Sequence, residues 1–220
     1  MLKEETVFGQ TIYRVECPDK TIYKDENYLN QLNEFFEFTK QKCAEAGQRV
    51  AQENEGEADS TVVFGSNPEK GIFPLMFPEG QRFREWFSKV IFENAEQIVG
   101  FKPNDVKIYR NWINRMYEGC SGQIHSHEFP ESSPYYQHRD KLFVCIFYIN
   151  DAVDGGADLV FVDGDAKNKK FIHECSSEDL QYMNVKEGEM IVHPCGIPHG
   201  VSEHKNSDPR VCMIIEVMFT

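Results

Sequence analysis

No apolar run in the sequence reaches the roughly 20 residues that a membrane-crossing helix needs. The opening MLKEETVFGQ carries acids where a secretory signal needs a basic end and an apolar stretch. A cytoplasmic chain with no membrane partner is therefore expected. Base is in short supply: 23 Lys and Arg stand against 36 Asp and Glu, for a formal net charge of −13. A surface of that sign repels phosphate backbones, so nucleic acid is not an expected partner. Cysteine pairing is missing too. The seven cysteines, at 17, 43, 120, 145, 175, 195 and 212, are odd in number and form no CxxC, which reads as scattered buried thiols rather than a disulfide framework or zinc finger. Internal repeats and low-complexity tracts are also absent. Tryptophan occurs only twice, whereas seventeen Phe and nine Tyr supply aromatic bulk for a β-rich core or an aromatic-walled pocket.

Hydrophobic spacing divides the chain into two halves. QTIYRVECPDKTIYKD (10–25) reads as a hairpin turning at Pro18-Asp19. In the segment after it, Leu29, Leu32, Phe35, Phe36 and Thr39 fall at steps of three and four, as on an amphipathic helix. ENEGEADS is a polar, acidic loop, and a short strand is expected at STVVF before a Gly/Pro-rich connector. The helical spacing returns in EGQRFREWFSKVIFENAEQIVG through Phe83, Trp86, Phe87, Val90, Ile91 and Ala95, with Gly100 as the stop. From Asp105 onward the pattern is strands separated by Gly, Asn and Asp, FIHEC among them. One domain over residues 1–220 is expected, helix-rich over 1–104 and β-rich over 105–220. Helices followed by antiparallel strands predict an α+β fold, a jelly roll or β-sandwich buttressed by the N-terminal helices.

The chemistry-bearing stretch is GQIHSHEF (122–129). On a strand, alternate side chains share a face, so His125 and His127 point one way, as half of a metal site would require. The best source of a third ligand is EGEMIVHPCGIPHGV, where His199 follows a proline. His193, on the strand before it, reads as structural or as a neighbour of the ligands. His204 is expected in solvent near a strand end, and His173 on a surface excursion. A mixed histidine and carboxylate set with open positions suits Fe(II) better than a closed structural zinc.

The pieces NWINRMYEGCSGQIHSH, LFVCIFYIN, GGADLVF, EGEMIVHPCGIPHGV and DPRVCMIIEV occur in that order over residues 106–219. In order and spacing they resemble the 2-oxoglutarate/Fe(II)-dependent dioxygenases, in particular a bacterial and phage branch with an HxH strand. The resemblance implies a double-stranded β-helix, a cupin-like jelly roll, with Fe(II) as cofactor and 2-oxoglutarate as cosubstrate. It further implies O2 as co-reactant and hydroxylation of a C–H bond on a small molecule or protein side chain. By residue, it implies His125 as first ligand, His199 as distal ligand and Arg210 as the cation for the far carboxylate of 2-oxoglutarate. Tyr148 and Asn114 are implied as cosubstrate contacts. Where that family carries Asp or Glu, this chain has His127. The third ligand is open between His127, an inturned Glu128 and no protein ligand at all. A rival pair, His138 with Asp140, has the same spacing but runs directly into the next strand. The loop 128–140, with Tyr135, Tyr136 and Arg139, is either a lid or a plain solvated loop. Two other readings stand beside this one: a cupin metalloenzyme without 2-oxoglutarate, and a non-catalytic β-sandwich binding module.

Overall fold

The computed structural model describes residues 2–45, 54–55, 58–60, 75, 77–129, 131–133, 136–150 and 156–220. Strands β1 (Lys3–Val7) and β2 (Gln10–Glu16) form the first hairpin. Its two-residue turn is Phe8-Gly9, with φ of 46° and 75°. Positive φ at both turn residues matches the twist of the flanking strands. The hairpin expected around Pro18-Asp19 is thus not the one formed. Instead the Asp19 side chain accepts from Thr21 N and caps a short 3-10 turn, Lys20–Ile22, a competing local bond that Asp offers readily. β2 pairs on its other side with a strand from late in the chain.

Helix α1 (Glu26–Glu45) buries Tyr28, Leu32, Phe35, Phe36, Thr39 and Cys43 along one stripe, as its spacing predicts. Two short strands follow, β3 (Asn54–Glu55) and β4 (Ala58–Ser60), inside the stretch expected to be a loop. The strand expected at STVVF lies outside the described residues beyond Ser60. The second helical stretch is broken at Asn94 into α2 (Gln81–Glu93) and α3 (Ala95–Val99). The Asn94 side chain donates to Val90 O at 2.7 Å and so ends α2. Gly100, at φ 80°, closes α3 with a bond to Glu96 O.

The remaining strands are β5 (Val106–Met116), β6 (Ser121–His125), β7 (Leu142–Tyr148), β8 (Leu159–Val162), β9 (Leu180–Met183), β10 (Glu189–Pro194), β11 (His199–Val201) and β12 (Arg210–Phe219). They pair antiparallel into a seven-stranded sheet, β1-β2-β10-β7-β12-β5-β4, and a five-stranded sheet, β3-β6-β11-β8-β9. FIHEC is a 3-10 turn, Ile172–Glu174, rather than a strand, because the Glu174 carboxylate folds back onto the Lys170 and Phe171 amides. No helix among the described residues is long and apolar enough to cross a membrane.

Strand β7 is buried at every position, LFVCIFY, because it is covered on both faces. On one face Phe147, Met190, Val192, Met213 and Ile215 meet Leu32, Phe36, Phe83 and Phe87 of the helices. Phe147 sits 4.6 Å from the Phe83 ring and 5.0 Å from that of Tyr23. On the other face Val144, Ile146, Tyr148, Ile191 and Ile214 meet Leu159 and Phe161 of the smaller sheet. The helices therefore stiffen the back of the large sheet, and its front is left to face an interior shared by the two sheets. That interior holds the polar groups described next.

Candidate metal centre

His125 closes β6 and His199 opens β11, and the antiparallel register sets the two directly opposite. Cross-strand neighbours of this kind lie about 5 Å apart at Cβ, so their side chains must meet. His127 lies two residues beyond the end of β6, where its amide donates to Cys195 O at 2.9 Å. That bond keeps the alternation going past the strand end, so His127 faces the same way as His125. The three rings form a triangle with centroid separations of 4.6, 5.1 and 5.2 Å. One ring nitrogen from each lies within 4.8 Å of the other two.

The tautomers follow from the acceptors. His125 Nδ1 is 2.9 Å from Gln123 O, and His199 Nδ1 is 3.0 Å from Ile197 O. A carbonyl oxygen only accepts, so both Nδ1 atoms carry the proton and both Nε2 atoms keep a lone pair. His127 Nδ1 is 2.6 Å from Glu216 Oε1, with the same consequence. Three imidazoles whose Nδ1 carries the proton present Nε2 as the lone-pair nitrogen, the form a metal requires. Burial, with the neighbouring imidazoles adding to it, holds His199 well below the usual histidine range, so it remains an uncharged donor.

His193 is fully buried and its ring stands edge-on to His199 at 4.7 Å. Its Nδ1 meets Pro194 O at 2.8 Å, and its Nε2 has no hydrogen-bond partner among the described residues. Burial drives its pKa down to about 3. The expectation that His193 adjoins the ligands agrees with this position. His204, by contrast, is fully buried rather than in solvent. Its Nε2 donates to Asp208 O at 2.7 Å, and its backbone bridges Gly119 and Cys120, so it ties the β11–β12 connection to the start of β6. His173 is exposed, as expected.

The alternative ligands lie elsewhere. Glu128 is exposed and reaches toward Gly196. His138 and Asp140 sit on a 3-10 turn, Tyr136–Lys141. Neither belongs to the cluster, which is the one such group among the described residues. Of the 128–140 loop, Pro130, Pro134 and Tyr135 fall outside the described residues. In the rest of it Arg139 stacks on Tyr136 at 4.3 Å.

Along the interior, Asn114, Cys212 and Tyr148 share one row across β5, β12 and β7. Arg210 is two residues from Cys212 on the same face, 3% exposed, with its guanidinium 4.3 Å over the Tyr148 ring. Its Nε is buried and has no hydrogen-bond partner among the described residues. Burial raises the Tyr148 hydroxyl, so it stays protonated beside that cation. A desolvated guanidinium with an open donor is costly unless an anion completes it. The donor set therefore fits a carboxylate guest, and the histidine set fits a divalent metal.

Sequence reasoning missed Glu216 and Arg110. Glu216 is wholly buried on β12 and accepts from His127 and from both Arg110 Nε, at 2.6 Å, and Arg110 Nη2. Burial alone would raise its pKa, but the bonds from His127 and Arg110 outweigh burial and hold the carboxyl below its usual range. The signal was present: one charge in the apolar run VCMIIEVMF has to find a partner.

No family model matches the chain, and no curated protein matches it either. Solved structures do. A prolyl-4-hydroxylase from Pseudomonas putida superposes with a TM-score of 0.55 at 10% identity, over 95% of this chain and 92% of that one. The fold is that of the 2-oxoglutarate/Fe(II) oxygenases. HygX from Streptomyces hygroscopicus, solved with nickel and 2-oxoglutarate bound, superposes at 0.55 and 9% identity over 95% and 83% of the two chains. SnoK, an α-ketoglutarate-dependent carbocyclase from nogalamycin biosynthesis, does so at 0.55 and 12% over 96% and 80%. At these identities the oxygenase fold is what is shared.

Proposed function

We propose that this protein is an Fe(II)- and 2-oxoglutarate-dependent oxygenase that hydroxylates a C–H bond of a small molecule or protein side chain in the cytoplasm. The observation that carries this reading is the convergence of three histidine Nε2 lone pairs inside this fold, with the buried Arg210 on the last strand facing the same interior. The two facing sheets are read as a double-stranded β-helix, with the helices packed on its larger sheet.

His125, His127 and His199 would hold the metal through Nε2, each fixed in orientation by its Nδ1–H bond. Arg210 would grip the distal carboxylate of 2-oxoglutarate, its planar fork offering parallel donors. Tyr148 beneath the guanidinium keeps that cation in place by ring stacking, and Asn114 lies in the row beside it. When bound, iron with 2-oxoglutarate and O2 supplies oxidation of a C–H bond coupled to release of succinate and CO2.

Substrate enters the proposal through a cleft of about 490 Å³ beside His125, lined on its polar side by Gln10, Ser126, Glu128, Asp163 and Lys167. O2-dependent formation of succinate from 2-oxoglutarate by the iron-loaded protein tests the reading. The expected result is slow turnover without substrate, abolished by a chelator. Metal binding with no consumption of 2-oxoglutarate would favour a cupin enzyme that works without it.

A further inference from the structure

We propose that Glu216 and Arg110 are positioning residues for the metal. Through His127 Nδ1–H, Glu216 polarises and orients that imidazole from one shell out, while Arg110 balances and aims the carboxylate. The proposal deepens the reading above and rests on His127 being a ligand.

Several independent contacts make His127 the most constrained of the three histidines. Trp112 stacks on its ring at 5.6 Å and 19° between planes. Glu216 Oε1 holds its Nδ1 at 2.6 Å. The carboxylate is itself oriented by the Arg110 fork, which takes both of its oxygens. Arg110 lies 5.5 Å over the Trp112 ring, so one guanidinium ties together the ring and the carboxylate that both touch the imidazole. His125 Nδ1 and His199 Nδ1 meet neutral backbone carbonyls, whereas His127 Nδ1 meets a carboxylate.

The fold alone gives little reason for this arrangement. Glu216 is fully buried between Ile215 and Val217, and buried ion pairs can often be exchanged for apolar residues at no loss of stability. A carboxylate behind a ligating imidazole raises the basicity of the far nitrogen and fixes the ring against rotation. In this chain the carboxylate that usually binds metal directly is replaced by an imidazole, and a carboxylate stands immediately behind that imidazole. The ligand set stays all-nitrogen, and one of its imidazoles is made more basic by the carboxylate of a buried ion pair.

Glu216→Gln keeps an acceptor of the same shape but removes the charge. Zn(II) affinity measured by chelator competition is expected to fall about 10- to 100-fold in that variant. His127→Ala, measured alongside, is expected to fall further. Co(II) bound to Glu216→Gln is expected to show a shifted visible spectrum, which a merely structural role would not produce. Unchanged Zn(II) affinity and an unchanged Co(II) spectrum in folded Glu216→Gln would overturn the proposal. Wild-type affinity in His127→Ala would instead overturn the underlying reading of His127 as a ligand. Should Glu216→Gln not fold, the nitrogen-15 spectrum of the Zn(II)-loaded wild type decides. A slowly exchanging, far-downfield Nδ1 proton on His127 supports the proposal, and an unprotonated Nδ1 overturns it.

Discussion

His199→Ala is expected to lose divalent-metal binding by more than about 100-fold, beyond the effect of removing an outer-shell partner. His199 is 3% exposed and stands directly opposite His125 in the β6–β11 register. The readout is the thermal shift that metal produces. A wild type at about a thousand times its dissociation constant gains about 4 kcal/mol, or on the order of 10 °C for a chain of this size. The variant, at no more than about ten times its own dissociation constant, gains at most about 1.4 kcal/mol. His138→Ala is the matched control, because that histidine sits on the Tyr136–Lys141 turn outside the cluster. It should retain the whole shift. The opposite pattern would move the site to the His138 and Asp140 pair.

Arg210→Met is expected to separate stability from cosubstrate binding. The guanidinium is buried with an open Nε donor, so replacing it with an apolar chain of similar length removes a desolvated charge. The protein without 2-oxoglutarate should be as stable as the wild type or more so. Affinity for 2-oxoglutarate, however, loses a charge-assisted contact of about 2–5 kcal/mol, which is a factor of roughly 30 to several thousand. Isothermal titration on the metal-loaded protein measures it. Metal affinity in the absence of cosubstrate should be unchanged. An equal loss of stability and of 2-oxoglutarate affinity would make Arg210 a structural residue.

The three histidines that meet in the cluster were legible because each obeys a local rule. His125 and His127 alternate on a strand edge, and His199 follows a proline turn that the pairing brings opposite them. Arg210 was marked by the resemblance rather than by any local rule. Glu216 could not be assigned a role, because its partners are a histidine 89 residues away, beyond β6, and an arginine set opposite it by the register of β12 against β5. His204 was misread for a similar reason: it looks like a strand-end residue, and long-range backbone bonds to Gly119 and Cys120 bury it. The first hairpin was placed at the stronger-looking turn, Pro18-Asp19. Phe8-Gly9 won because positive φ at both positions suits a two-residue turn, even with phenylalanine paying the steric cost. Most of the α1 stripe was legible, Leu32, Phe35, Phe36 and Thr39, since its apolar period does not depend on distant contacts; Tyr28 and Cys43 extend it, and Leu29 is only half-buried.

The central claim, a three-histidine centre that binds iron and 2-oxoglutarate together, is tested most directly by anaerobic titration of the protein with Fe(II) and 2-oxoglutarate. The account predicts a weak visible charge-transfer band that needs both components, is lost in His199→Ala and is lost or displaced in Arg210→Met. Iron binding with no band at any concentration of 2-oxoglutarate would contradict it.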